Sequence, residues 1–398
     1  MTQPGILFNN GRILDGLGGV WDSGWALIRG EQIEAMGDGP APDLPETVVD
    51  LSGRTMLPGL IDAHVHLALD GSPDPMNNLA KSSVPVVTLQ TARHARQTLE
   101  AGVTTVRDLG CREFIDVAFR DAVKAGLVMG PDMLCAGQMI CITGGHGWQV
   151  GYEADGPEEV RKGVRFQIKS GVDVVKFMAT GGVLTRGGRP GMPQLTALEM
   201  AAGIEEAHRV GLKTAAHSQG PEGAKNAVAA GIDSLEHGVD LDQEVIDQMA
   251  ERGVFVVPTL SAPFNILEAG RDSGIPQEFI DKTERMAEIH LDGLSRAKKA
   301  GVKIAMGTDA GTPFNQHGQN AAELVHLGKI GFTPMEAITC ATSSAAELLG
   351  IEETAGSIAP GKRADLLIVE GNPLQDLALL TDPGRIVSVY KAGRRVGA

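Results

Sequence analysis

Two histidines, His64 and His66, stand two apart in the run IDAHVHL (61–67). Side chains alternate along an extended strand, so both imidazoles point to one face and can hold one cation together. The alternative is a pair of strand histidines facing solvent. Lys176 sits inside Val174-Val175-Lys176-Phe177-Met178, where an ammonium is costly to bury unless it is paired or chemically changed. Either it meets an unseen carboxylate, or its neutral amine takes up CO2 to give a carbamate whose two oxygens bridge two cations. His217 ends KTAAHS, His237 ends DSLEHG, and Asp309 ends the run KIAMGTDAG. Imidazole and carboxylate donors without a thiolate suit Zn²⁺, or a similar divalent ion, at a catalytic site.

These groups need elements that bring them together. Strand-like runs fall at 61–67, 104–110, 132–140, 174–180, 213–218, 233–238, 254–260 and 303–311. Helical patterns such as EEVRKGVRFQIKSG, LTALEMAAGIEEAHRVG and PEGAKNAVAAG separate them. Strands alternating with helices imply parallel βα units, and eight such units predict a (β/α)8 TIM-like barrel. The candidate groups then lie at the C-terminal strand ends, where barrel active sites are built. A doubly wound open sheet is the competing fold. It would place a Gly-rich phosphate loop after its first strand, where this chain has Asp62-Ala63-His64-Val65-His66.

Both ends of the chain have another texture. ILFNNGRILDG carries an expected Asn-Gly turn, and GSIAPGKRADLLIVEG and RIVSVYKAGRRV read as further short strands. Residues 1–58 and 352–398 are therefore expected to join as a small, discontinuous β-sandwich domain around a barrel of 59–351. The chain has 398 residues, 42% hydrophobic and 21% charged, enough for a sizeable core. Its net charge of -15 argues against a nucleic-acid or anionic-membrane surface and suits a soluble cytoplasmic protein. Cys111, Cys135, Cys141 and Cys340 show no CxxC spacing and read as buried free thiols. With neither a basic leader nor a membrane-length apolar run, a cytoplasmic location is expected, with homo-oligomerisation left open.

PGLIDAHVHL, the lysine of VVKFMATGGV, the two later single histidines and GTDAG occur in an order that resembles the amidohydrolase superfamily over essentially the whole chain. ITGGHG, EHG and GTDAGTPFNQHG bring it nearest to Xaa-Pro dipeptidases (prolidases) and imidazolonepropionase-related proteins. The resemblance implies a binuclear centre. His64, His66 and Asp309 hold the more buried metal, His217 and His237 the more exposed one, and carbamylated Lys176 bridges them. Two cations there lower the pKa of a shared water, so that hydroxide attacks the scissile carbonyl near neutral pH. Asp309 takes the proton and delivers it to the leaving nitrogen.

His146, in the loop after the third strand, is a candidate donor to the substrate carbonyl, or else an exposed loop histidine. Arg186 and Arg189 follow the Lys176 strand and are candidates to hold a substrate carboxylate, or else solvated loop charges. His317 and Asn320, after Asp309, are expected to face the pocket. His94, His208, His290 and His326 fall in helix-like stretches and read as surface or packing residues. The expected activity is metal-dependent hydrolysis of an amide bond in a dipeptide (Xaa-Pro-like) or N-acyl amino acid. Cyclic amides, carbamates and xenobiotic amides are the alternative substrates for the same site. A non-catalytic relative is disfavoured by the full donor set. A one-metal deaminase is disfavoured because Ser218-Gln219-Gly220 supplies no catalytic acid after His217.

Overall fold

A computed structural model describes residues 5–42 and 47–397. Residues 1–4, 43–46 and 398, all inside the expected terminal β domain, lie outside the described residues. Among the described residues, no helix is long and apolar enough to cross a membrane.

The central layer is a ring of parallel strands. Leu60–Val65, Val103–Asp108 and Asp132–Cys135 pair in order, as do Val174–Met178, Lys213–Ser218, Ser234–His237 and Phe255–Val257. The short strand Ile140–Cys141 pairs beside Val174–Met178 at Phe177, and Asp173 N–H, donating to the Cys135 carbonyl, links the two groups. The eighth segment forms no continuous strand but closes the ring through bridges of Ile304 to Val256 and Ala310 to Val65 and through backbone hydrogen bonds such as Ala63 N–H to the Met306 carbonyl and Asp309 N–H to the His64 carbonyl. The barrel fold is thus as expected, with its last strand irregular. The competing open sheet is excluded by that closure.

Two runs read as single strands are cut short. The 132–140 run breaks at Gly137, at φ +63, where an added Cβ would meet the Phe114 ring at 2.6 Å. The 254–260 run stops at Pro258, which has no N–H for the ladder, and Thr259 then turns to φ +52. Helices cover the outside. Ala197–His208 starts with a capping box between Thr196 and Glu199, and Pro221–Ala230 stops at Gly231, at φ +92.

Both chain ends enter one mixed eight-stranded sheet. Leu366–Glu370 pairs antiparallel with Arg54–Pro58 along its whole length. Phe8, Ile13, Ile33, Met56, Leu366 and Tyr390 come from across this sheet yet share one apolar cluster, so the sheet wraps around its own core. The expected Asn-Gly turn is instead a bulge in a continuous strand, Ile6–Leu14, with Asn10 at φ +61. The bulge lets that strand pair first with Thr47–Asp50 and then with Arg54–Pro58.

Candidate functional site

The barrel's strand ends gather the expected groups around one cavity of about 1140 Å³, its open mouth included. His64, His66, Lys176, His217, His237 and Asp309 all line it, joined by His146. The donor atoms of His64, His66 and Asp309 lie within 4.8 Å of one another. Asp309 Oδ1 stands 3.4 Å from Nε2 of both His64 and His66. The His217 ring packs 4.5 Å from His237 and 4.3 Å from His146, centroid to centroid.

Imidazole tautomers are set by what each Nδ1 touches. His64 Nδ1–H donates to Glu236 Oε2 at 2.8 Å, and His66 Nδ1–H donates to the Gly110 carbonyl at 3.1 Å. The Thr259 hydroxyl gives its own proton to the Pro258 carbonyl, so it accepts from His237 Nδ1 at 2.7 Å. All three rings therefore turn Nε2, with its lone pair, away from the protein support. Burial drives His64, His217 and His237 well below the usual imidazole range, which leaves them neutral and able to ligate.

Burial also lowers Lys176 to about 8, against the attraction of Glu236. It raises Asp309 to about 8, against the attraction of Lys176. Lys176 Nζ and His217 Nε2 are buried and have no hydrogen-bond partner. Unpartnered buried polar atoms cost about 1–3 kcal/mol each, so two at one place indicate groups meant for something further. The donor set and these orphan atoms fit divalent cations.

Three non-glycine residues at these strand ends, His237, Thr259 and Asp309, have φ of +69, +52 and +60. Left-handed backbone is strained for such residues, most of all for β-branched Thr259, and such strain clusters at working sites. Glu323 holds Thr259's neighbours by accepting from the Leu260 and Ser261 N–H groups, each at 2.7 Å. Thr259→Val keeps the shape but strands the His237 Nδ1–H. It is expected to weaken binding of any divalent cation that His237 ligates by about 10–100-fold in a metal titration, whereas Thr259→Ser retains it.

Residue spacing does not point to the supports of this site. Arg107, 2% exposed, donates to the Ala63 carbonyl, Ser234 Oγ and Glu236 Oε1. Glu236, fully buried, thus ties Arg107 to His64 across the barrel interior. An arginine inside the apolar run TTVRDLG was the available signal. Asp62 accepts from Asn320, Thr308 and two backbone N–H groups and so fixes the first strand to the Asp309 segment. His290, also lining the cavity, donates to the His237 carbonyl at 2.8 Å.

Several expected pocket residues lie elsewhere. Arg186 is ion-paired with Asp74 at 2.6 Å with its side chain 62% exposed, and it does not line the cavity. Arg189 borders, with Arg285 and Lys282, an adjoining surface hollow that shares Gln219, Val239 and Met286 with the cavity. His317 donates Nε2–H to the Leu69 carbonyl and stacks on His94 at 4.4 Å, while Asn320 is spent on Asp62. A loop's residue order does not dictate which way its side chains turn, and here backbone carbonyls and a buried carboxylate claimed them. His94 is buried on the Leu67 carbonyl, His208 faces Asp233 and His326 packs on Phe264, as packing or surface residues would.

Residues 55–396 match the family model described as Amidohydrolase family. The chain belongs to the amidohydrolase family. Ochratoxinase of Aspergillus niger is 33% identical over 408 aligned positions, spanning 93% of this chain and 82% of that one. A solved Xaa-Pro dipeptidase with methionine bound in its active site is 34% identical, with a TM-score of 0.89 over 98% of this chain and 99% of the other. A prolidase complexed with N-methylphosphonate-L-proline is 29% identical, with a TM-score of 0.91 over the same shares. Hydrolysis of amide bonds is therefore the activity of this amidohydrolase.

Proposed function

We propose that the amidohydrolase cuts the C–N amide bond of a small molecule with two divalent cations, Zn²⁺ the first choice, held by His64, His66, His217, His237, Asp309 and a carbamate on Lys176. The observation that carries this reading is the gathering of all six groups at one cavity with two buried donors left unpartnered. In this reading the barrel of 59–351 carries the chemistry, and the sheet of 1–58 and 352–398 braces it.

Cations bound there supply Lewis acidity toward the substrate carbonyl and a water acidified to near neutral pH. The carbamate forms when the Lys176 amine adds to the carbon of CO2 and loses a proton to solvent. Asp309, between the His64 and His66 rings, accepts the nucleophile's proton and passes it to the leaving nitrogen as the C–N bond breaks. His146 is held by a 2.8 Å hydrogen bond between Nδ1 and Thr185 Oγ1. Its Nε2 faces the cavity beside His217 and donates to the oxygen on which charge develops.

Dipeptides of the Xaa-Pro type and N-acyl amino acids are the substrates that the similarity to Xaa-Pro dipeptidases supports. A neutral cyclic amide, carbamate or xenobiotic amide is the second reading. It is favoured by the cavity lining, which holds no guanidinium for a free carboxylate. A survey of all these classes with zinc-loaded protein, read by mass spectrometry, is expected to show amine release from at least one class. Complete silence would sink the proposal.

A further inference from the structure

Above its polar floor the cavity is walled by apolar side chains in two separate groups. Met76, Met139 and Met178 form one side and belong to a cluster with Leu69, Leu79 and Val150. Leu184 and Ile266 form the other and pack with Ile275, Phe279 and Ile280, while Met286 reaches in from the helix Gln277–Lys299. Four of the chain's 14 methionines line this one cavity. Unbranched, polarisable side chains in such numbers make a surface that re-packs around different apolar shapes. Met76, Leu184 and Met286 are only half-buried, which leaves apolar surface open at the mouth.

Charge is absent from both walls. Among the described residues that line the cavity, only Lys176 and Asp309 carry charge, and both are on the floor. Of the nearby cations, Arg189 and Arg285 border the adjoining hollow and do not line the cavity, and Arg186 and Lys282 are engaged elsewhere. Arg186 pairs with Asp74, and Lys282 donates to Glu278 and the Thr185 carbonyl. A charged substituent seated between these walls would lose its water and gain no partner.

We propose that the cavity is an adaptable apolar subsite, selecting amides that carry a bulky, uncharged aliphatic or aromatic group beside the scissile bond and accepting a range of such groups. This rests on the hydrolase reading and names the substrate class within it. The test uses full-length zinc-loaded enzyme and two substrate series. In the first, proline is acylated with acetyl, butyryl, hexanoyl, phenylacetyl or adipoyl; in the second, one acyl group is kept while the amine grows from methylamine to phenethylamine.

In at least one series, kcat/KM is expected to rise by up to about fourfold per methylene. Adipoyl is expected to fall at least about tenfold below hexanoyl. Met76→Ala and Met286→Ala, both at half-exposed positions, are expected to lower the hexanoyl-to-acetyl ratio by roughly threefold to tenfold. A flat response in both series, or preference for adipoyl, overturns the subsite and leaves the hydrolase reading standing. Absence of turnover, together with inhibitor-like binding that ignores apolar size in equilibrium dialysis, overturns both.

Discussion

Asp309→Asn is expected to lower kcat by at least about 10²–10⁴, the worth of a positioned proton shuttle, while the protein stays folded. The substitution changes almost nothing else. Volume is kept, and asparagine accepts the φ of +60 at this position more readily than most residues. The backbone bond from Asp309 N–H to the His64 carbonyl at 2.7 Å does not involve the side chain. An amide oxygen still reaches the space between the His64 and His66 Nε2 atoms, so part of the metal is expected to remain. What is lost is a group that can take a proton and give it back. Zinc content, thermal unfolding and kcat measured on one preparation separate these effects. Wild-type turnover in the variant would refute the shuttle role.

Lys176→Ala is expected to have an effect of similar size through another route. Without the proposed bridge, bound zinc should drop to one ion or fewer and kcat should fall by about 10³ or more, the scale of several kcal/mol of lost charge stabilisation. Native mass spectrometry of wild type in bicarbonate is expected to show the mass of one added CO2, absent from the variant. A short carboxylate such as formate, able to enter the space that the side chain leaves, is expected to restore part of the activity. Fully active wild-type protein without the added CO2 would refute the carbamate, and an unimpaired Lys176→Ala would refute the bridging role.

The site was legible where chemistry follows from backbone period. His64 and His66 share a face because strand side chains alternate, and His217, His237 and Asp309 stand at strand ends because barrels place loops there. Lys176 stands out because an ammonium in a five-residue apolar strand needs a reason. The supports were hidden for the opposite cause. Glu236 precedes His237 in a four-residue strand, and nothing in DSLEHG says that its carboxylate crosses the barrel to His64 and Arg107. Thr259 reads as ordinary strand sequence, yet Pro258 ends the strand and the left-handed turn beyond it carries the hydroxyl to His237.

Loops were the least readable. Closeness to Lys176 and Asp309 in the chain makes Arg186, Arg189, His317 and Asn320 candidates for the pocket. Tertiary partners decided otherwise, with Asp74, the Leu69 carbonyl and Asp62 engaging three of them. The fold shows the same division. Eight βα units are countable in the sequence, but the eighth strand is irregular, with isolated bridges at Ile304 and Ala310 and single backbone hydrogen bonds in place of a continuous ladder. Between those bridges the chain is bent to serve other partners. Gly307 has no room for a Cβ against Val257 and His64, Thr308 is bonded to Asp62, and Asp309 turns left-handed.

The measurement that bears most directly on the central claim is a zinc titration of chelator-stripped protein, following bound metal and amide hydrolysis together. Activity should be absent in the stripped protein, rise with added zinc and level off at two ions per chain. Hydrolysis that survives complete stripping, or a protein that binds no divalent ion at this site, would contradict the account.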